Sequence, residues 1–370
     1  MPHHTDILRL RLRHQLLDPP ASGGSREPDA VVEHMFALQA QDYPGSLWSV
    51  GVRCGAGVSP ADVELAIAER RIVRTWPMRG TLHLLAPADV RWVLAFLAPR
   101  VVDRVAKRHE TLGLTDEVFA RARAQFTEEL SGGRELSRPD AMAMLEADGI
   151  DASDQRGYHI LLRLSQEALL CCGPMRDKQQ TFVLLDDWIA AGTAQQDSPS
   201  SEQALARLAE RYITARGPAT IADFAWWAGI SKGDARDGFD AIAHHLEQIT
   251  IHGVEYWVLP AEGDEDESDS PSVHLLPGFD EYMLGYTDRS AQLGSHRRAY
   301  GSTVSSNGMF SATLVIDGRV AGTWRRTVKN DHVEIAVKPF GKLSAAEKDA
   351  LDVAAARYGE FKGLTPVVQL

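Results

Sequence analysis

Apolar positions along the chain fall first into helical spacings and then into short alternating runs, and this order recurs three times. The first round predicts helices near Thr5–Leu17, Asp29–Ala40 and Ser59–Arg71. Strands "RIVRTWPM" and "GTLHLLA" follow about a turn at Arg79–Gly80, and Pro87 then opens a long helix. The second round predicts helices Thr115–Leu130, Ser137–Asp148 and "DQRGYHILLRLSQEA", with strands "LLCCGPM" and "TFVLLD". The third runs Ser200–Arg216, "TIADFAWWAGI" and "SKGDARDGFDAIAHHL", then the alternating hairpin "ITIHGVEYWVLP" about His252–Gly253. Thr220 and Ser231 are cap residues and Gly229 is a stop, which gives the short turn of a helix-turn-helix. Three helices followed by a two-stranded wing is the winged-helix plan. The likeness between rounds is architectural rather than residue by residue.

Beyond "EGDEDESD" (Glu262–Asp269), several short strands take over, with an Asp-Gly hairpin turn at Asp317–Gly318. A helix over Ser344–Tyr358 closes this part, and "LTPVVQL" adds a last strand. The expected fold is mainly α with β (α+β). Tandem winged-helix modules span 1–112, 113–195 and 196–262, and a small β-barrel or sheet spans 270–370.

Composition narrows the class. The chain has 370 residues, 44% hydrophobic and 24% charged, as for ordinary globular modules. No apolar run approaches the roughly 18 residues that a membrane span needs, and "MPHHTDILRL" lacks the apolar core of a signal peptide, so a cytoplasmic protein is expected. Cys54, Cys171 and Cys172 have no zinc-like spacing and read as buried thiols. The formal charge of −12 argues against nucleic acid only if it is spread evenly. It is not. Glu262–Asp269 concentrates acid, whereas the stretch from Arg70 to Arg108 carries Arg70, Arg71, Arg74, Arg79, Arg91, Arg100, Arg104, Lys107 and Arg108 against only Asp89 and Asp103. A local cation cluster is what a phosphate backbone requires. Two amphipathic helices with basic outer faces would give the same count.

Familiar catalytic sets are missing. There is no phosphate-binding glycine loop and no metal-ligand pair on a helix. The adjacent His244 and His245 cannot face one ion from a helix, the adjacent Asp280 and Glu281 cannot form a facing pair in a strand, and Asp186 and Asp187 read as a helix cap. One feature stands out: "LQAQD" at the end of the second helix presents Gln39 and Gln41 two positions apart, a spacing that no helix face shares. Either one amide is buried and the other exposed, or the helix stops so that both reach one place. A glutamine is a poor general base near neutral pH, yet it hydrogen-bonds water, a sugar oxygen or a base edge through both its groups. Such a pair suits chemistry that needs only positioning. Hydrolysis of an N7-alkylated guanine is of that kind, because the base is already cationic and leaves without an acid.

The segments "ALQAQDYPGSLWSVGVR", "RTWPMRGTLHLL", "LLPGFDEYMLGYTDR" and "NGMFSATLVIDGRVAGTWRR" together resemble the winged-helix DNA glycosylases of the AlkZ and YcaQ type, in the same order and over nearly the whole chain. Gln39-Ala40-Gln41 matches the glutamine–apolar–glutamine motif of the AlkZ-like form. The resemblance implies tandem winged helices and a C-terminal β-barrel in a C-shaped DNA-binding architecture. It implies excision of N7-alkylguanine adducts, bulky ones and interstrand crosslinks included, in repair and in self-resistance to a natural-product genotoxin. By the same resemblance, Gln39 and Gln41 contact the lesion nucleotide and position the attacking water. The neighbouring Asp42 is read from its position as a cap ahead of a catalytic role.

On the first wing, alternation sets Arg74, Trp76 and Met78 on one face. Arg74, Trp76, Arg79 and His83 are the expected groove-probing residues, with Arg79 at the tip. Lys107, Arg108 and Lys232 are expected phosphate contacts. Asp280, Tyr282, Asp288 and Arg289 are expected to hold the C-terminal part against the helical modules. No candidate lysine lies near the glutamines, so a monofunctional hydrolysis without metal or cofactor is expected, by a monomer acting on double-stranded DNA that carries alkylated guanine. The rival reading is a non-catalytic winged-helix regulator or a drug-sequestering protein, which would bind undamaged DNA or free ligand and release no base.

Overall fold

In a computed structural model, which describes residues 4–18, 24–189, 199–251, 253–260, 270–301 and 310–370, the elements follow the order that the hydrophobic pattern predicts, with additions near the N-terminus. The acidic stretch Glu262–Asp269 and His252 of the expected hairpin turn lie outside the described residues. The elements begin α1 His4–His14, α2 Pro28–Met35, β1 Leu38–Gln39, α3 Tyr43–Cys54, α4 Pro60–Ala68, β2 Val73–Met78, β3 Thr81–Leu85 and α5 Pro87–Thr111. They continue α6 Asp116–Leu130, β4 Leu136–Ser137, α7 Arg138–Ala147, α8 Arg156–Gln166, β5 Leu170–Arg176, β6 Gln179–Leu184 and α9 Leu185–Trp188. Next come α10 Ser201–Arg216, α11 Ile221–Ala228, α12 Lys232–Ile242, β7 Glu247–Ile251, β8 Val254–Val258, β9 Val273–Leu276, α13 Glu281–Leu284, α14 Ser290–Leu293 and α15 Arg297–Gly301. The chain ends β10 Thr313–Ile316, β11 Arg319–Val328, β12 His332–Pro339, α16 Ala345–Lys362 and β13 Thr365–Gln369.

Two differences from the sequence reading matter for the site. The second helix stops at Met35, not Ala40, and a further helix, α3, fills Tyr43–Cys54. That segment, "YPGSLWSVGVRC", is poor in strong helix formers and has no polar face. Every residue from Gly45 to Cys54 is buried, so packing rather than propensity makes it helical.

The chain packs as two units: Met1–Val63, Leu205–Trp227 and Ser231–Leu370 form one, and Glu64–Ala204 with Ala228–Ile230 the other. In the second unit, β3, β2, β5, β6 and β4 lie side by side in that order. The two hairpins expected as separate wings are thus joined edge to edge, through the pairing of Arg74 with Cys172. All six residues of β2 are buried as a result. Asp186 lies within α9 and pairs with Arg91 of α5 at 2.5 Å, so it is an ion-pair partner rather than a cap.

In the first unit, α10, α11 and α12 are followed by the hairpin β7–β8, whose β8 also bridges to Ala219. The C-terminal strands form a sheet in the order β13-β12-β11-β10-β9, with β12 and β13 parallel. Among the described residues this sheet has two open edges, so it is an open sheet covered by α16 rather than a closed barrel. Asp317 and Gly318 both have positive φ, 47° and 76°, as the predicted two-residue turn between β10 and β11 requires. Trp48 of α3 is wedged between Tyr358 and Phe361 of α16, with ring centroids 4.9 and 5.0 Å away, and its Nε1–H donates to Leu275 O at 2.7 Å. Gly51 permits this approach, because a Cβ there would lie 2.4 Å from the Phe361 ring. All three cysteines are buried and unbridged, and burial pushes the Cys54 thiol up to about 12.

Three histidines are held neutral by the fold. Burial, and then the positive charges of Arg357 and Arg53, lower His274 to about 3. Burial is also the first cause at His14 and His109, each lowered to about 4. An unfolded histidine binds its proton near pH 6.5. Below that pH the unfolded chain therefore holds protons that the folded one refuses, and stability falls with pH from about 6.5 toward the folded values. For His274, only 4% exposed, each pH unit in this window removes up to ~1.4 kcal/mol. Melting scans from pH 7.5 to 5 are expected to show a continuous decline in Tm that begins near pH 6.5, and a flat profile would contradict the buried neutral imidazoles.

Candidate active site

The segment between α2 and α3 decides how the two glutamines are presented. Helix α2 ends in a tight turn at Phe36, whose φ of 64° and ψ of −55° lie in the rarer, positive form of the γ-turn. Its defining bond is present, Ala37 N–H donating to Met35 O at 2.8 Å. A non-glycine residue held this way costs ~1–3 kcal/mol, and the surroundings must impose it. After the turn the chain is extended. Leu38 and Ala40 are fully buried, Gln39 is half-buried and Gln41 is exposed. Leu38–Gln39 forms β1 and Gln41 lies in the bend before α3. Burial alternates from Leu38 to Gln41, so the spacing of two reads as a strand spacing with the two amides at the less buried positions. The alternation in "LQAQ" carried this signal, although the helix before it masks the change of period.

A buried ion pair holds the turn. Arg216, the last residue of α10, donates from Nη1 to Met35 O at 3.0 Å and from Nη2 to Ala37 O at 2.7 Å, one carbonyl on each side of Phe36. The same guanidinium grips Glu281 Oε2 through Nε at 3.0 Å and Nη2 at 2.7 Å, and both side chains are 0% exposed. Trp227 Nε1–H donates to the same oxygen at 2.9 Å, and Arg216 also lies 4.3 Å over the Trp227 ring. Glu281 Oε1 accepts the backbone N–H of Gln39 at 3.2 Å. The Phe36 ring packs on Trp227 with centroids 6.2 Å apart. Burying two charges is costly unless their remaining donors and acceptors are satisfied, and here they bond the backbone of the glutamine segment.

The neighbouring acid makes a second such node. Asp280 caps α13 by accepting from Tyr282 N–H at 2.9 Å, and it pairs with Arg53 of α3 through two 2.8 Å bonds. Ser49 Oγ–H adds a bond at 2.7 Å. Burial raises the Asp280 carboxyl, but the Arg53 charge and the bonds from Arg53, Ser49 and Tyr282 outweigh it and leave the group below the usual carboxylate range. The two acids do not lie in a strand, as their sequence suggested. They sit at the start of a short helix, where successive side chains diverge to different arginines. Of the residues expected to fasten the C-terminal part, Asp280 binds α3 and Tyr282 donates to Gly318 O at 2.5 Å. Arg289 donates to Met283 O and lies over the Trp226 and Phe310 rings, whereas the Asp288 side chain accepts from Ser290 while its backbone N–H donates to Asp223 of α11 at 3.2 Å.

Asp42 follows Gln41 and occupies the N-cap position of α3, but its side chain makes no capping bond. It faces Arg326 instead, at 3.7 Å, on the border of a cleft of about 810 Å³ that Thr323, Arg325, Arg326 and Lys338 also line. The β11–β12 register sets Thr323 opposite Lys338, so both belong to one face of the sheet. A basic, hydroxyl-bearing cleft thus borders the residue next to the exposed amide. Arg216, Glu281, Arg325, Arg326 and Lys338 are site residues that sequence reasoning did not assign. "TWRRTV" offered a hint for the two arginines; nothing local marks the others.

The sequence profile of the DNA glycosylase AlkZ-like family matches residues 32–361 of the chain. The chain belongs to this family. It is 29% identical, over 95% of each chain, to an interstrand DNA cross-link repair glycosylase of Streptomyces sahachiroi. The solved structure of Streptomyces sahachiroi DNA glycosylase AlkZ superposes with a TM-score of 0.80 over all of both chains, at 24% identity, which establishes a shared fold.

In this AlkZ-like protein the expected DNA-contact residues separate into two groups. Arg74, Trp76 and His83 are 6%, 4% and 0% exposed and belong to the core of the second unit, because β2 is an inner strand. Trp76 stacks on Phe182 with centroids 6.4 Å apart, Arg74 donates to Gln180, and His83 Nδ1 meets Thr81 O at 2.9 Å. Arg79 stays at the hairpin tip, partly exposed, with φ of 54°. A Cβ placed on Gly229 would lie 3.3 Å from Arg79 and 3.6 Å from Arg104, so the two arginines converge there. Lys107 and Arg108, one turn beyond Arg104 on α5, are exposed, and Arg108 donates to Gln155 at 3.2 Å. Lys232 is exposed at the start of α12, a helix that also exposes Asp237 and Asp240. Trp76→Ala is therefore expected to cost ~3–5 kcal/mol of stability in urea unfolding. The affinity of the surviving folded fraction for duplex DNA is expected to stay within about twofold, since the ring never reaches the surface.

Proposed function

We propose that the protein is a monofunctional DNA glycosylase that hydrolyses the N-glycosidic bond of N7-alkylguanine, bulky adducts and interstrand crosslinks included. The observation that carries the reading is the pair of glutamine amides on the less buried positions of a strained, ion-pair-anchored segment beside a basic cleft. An amide pair orients water and sugar but supplies no proton. It is therefore matched to a leaving group that already bears positive charge, for which orientation and electrostatic stabilisation supply most of the acceleration. In this reading Gln39 and Gln41 hold the attacking water against the anomeric carbon. Asp42, kept close by Arg326, adds negative potential near the developing oxocarbenium centre. The description of the Streptomyces relative as a cross-link repair glycosylase supports the extension to crosslinked DNA. Self-resistance to a natural-product alkylator is the role that the family resemblance attaches to this chemistry.

Lys338 is the lysine that the fold brings to the Asp42 cleft. It is solvent-exposed, which suits a phosphate contact rather than a Schiff base. Borohydride trapping of the protein on abasic DNA is accordingly expected to yield no covalent complex. Arg325, Arg326, Lys338, Arg79, Arg104, Lys107 and Arg108 are the proposed phosphate contacts, whereas Lys232, which shares α12 with Asp234, Asp237 and Asp240, is the weakest of the expected ones.

The deciding assay incubates the protein with a duplex carrying N7-alkylguanine and then heats it in alkali to break the strand at abasic sites. Wild type is expected to give breaks, and Gln39→Ala and Gln41→Ala are each expected to lose roughly 100-fold or more in rate. Unchanged cleavage by both variants would remove the assigned site, and a sharp footprint on undamaged DNA without base release would favour a regulator. Arg325→Ala and Lys338→Ala are each expected to lower the slope of log affinity against log salt by about one, with the rate at saturation preserved.

A further inference from the structure

We propose that Arg216, Glu281 and Trp227 are positioning residues for the reaction, setting where Gln39 stands through its backbone; this rests on the glycosylase reading above. Three backbone anchors fall on alternate residues: Met35 O and Ala37 O are gripped by Arg216, and Gln39 N–H by Glu281. They span the γ-turn at Phe36, a conformation that a phenylalanine does not choose unaided. A helix usually ends with a glycine or asparagine in a left-handed position, which needs no support. Here the fold instead uses a non-glycine turn and imposes it with a buried ion pair, 0% exposed on both sides. Local rules broken in this way tend to mark functional segments. The result is that the extended segment leaves α2 abruptly, and the glutamine face is fixed by groups that never touch DNA. A lysine at 216 could keep the charge but not bridge two carbonyls and a carboxylate, because only the planar fork carries donors in those directions.

The adjacent node supplies a matched control. Arg53 and Asp280 are also 0% exposed and fork-bonded, yet their bonds go to Gln15 just beyond α1, to α3 and to α13, and not to the glutamine segment. Arg216→Lys and Arg53→Lys are therefore compared by melting temperature, by affinity for an N7-alkylguanine duplex, and by the single-turnover rate of base release with enzyme in excess. Arg216→Lys is expected to lower the rate by about 30-fold with the duplex Kd within about twofold, as for a misplacement on the ångström scale. Arg53→Lys is expected to keep the rate within about threefold at a similar loss of melting temperature.

A folded Arg216→Lys protein with a near-wild-type rate overturns the proposal. So does an Arg53→Lys protein that loses as much rate for the same loss of stability. If Arg216→Lys does not fold, Trp227→Phe, which removes one donor to Glu281, takes its place: a rate reduced by about fivefold at unchanged Kd supports the proposal, and an unchanged rate overturns it. Gln39→Ala in the same assay separates the two levels. If it keeps full activity, the glycosylase site itself is wrongly assigned. If it is inactive while Arg216→Lys and Trp227→Phe keep their rates, only the positioning role falls.

Discussion

A buried ion pair, Arg216 with Glu281, constrains the turn and the glutamine segment of the first unit. Taking both charges out of water is unfavourable, and a well-packed apolar pair of similar volume is often as stable or more so. The pair is understandable because of what else its atoms reach. Arg216 holds two carbonyls on either side of a strained turn, Glu281 takes the next backbone N–H, and Trp227 completes the carboxylate. Loss of either member would strand the other charge in a dry site and release the turn together. Stability of this region and geometry of the glutamine segment are thus one quantity, set by the same few bonds.

The placement of Asp280 and Glu281 at the start of α13 extends that constraint across the unit. Because they are consecutive at a helix start, one carboxylate points to α3 and the other to the end of α10. Helix α3, which follows the glutamine segment, and the end of α10, which grips the turn before it, are therefore referred to a single short element. Tyr212, Tyr282 and Tyr286 serve the same junction, with hydroxyls donating to Gly285, Gly318 and Arg216 carbonyls. In the third helix-and-hairpin round, α10 and α11 supply Arg216 and Trp227 inward, while α12 and the β7–β8 hairpin expose Lys232, Arg236, Asp237, Asp240, Glu247 and Glu255.

Much of this was legible in the sequence. The order of helices and strands was, because amphipathic spacing and turn residues such as Asp317–Gly318 act locally. Helix α3 was not, because total burial removes the polar face that makes a helix recognisable. The end of α2 was misplaced by five residues' worth of apolar pattern, from Met35 to Ala40, since a turn at Phe36 has no glycine to announce it. Gln39 and Gln41 stand out by their chemistry and the family resemblance, but their arrangement depends on the turn at Phe36 and the short strand after it, which the apolar pattern of α2 hides. The burial of Arg74, Trp76 and His83 depends on β2 pairing with β5, a contact between residues such as Arg74 and Cys172 that are far apart in the chain. No local pattern separates an inner hairpin strand from a free wing.

The charges of the protein divide by the work they do. Those that must stay fixed, Arg53, Arg216, Asp280 and Glu281, are buried and paired; salt reaches such pairs poorly. Those proposed to meet phosphate, such as Arg325, Lys338 and Lys107, are exposed, where phosphate can displace water and counterions. The net charge of −12 averages over both populations and describes neither. In the proposed reaction the neutral amides position rather than protonate: buried charges behind them hold the backbone, and the exposed cations are the ones proposed to hold the DNA. Raising salt should then act on substrate affinity and leave the geometry of the glutamine segment intact, whereas acid acts on the fold through the buried histidines and carboxylates.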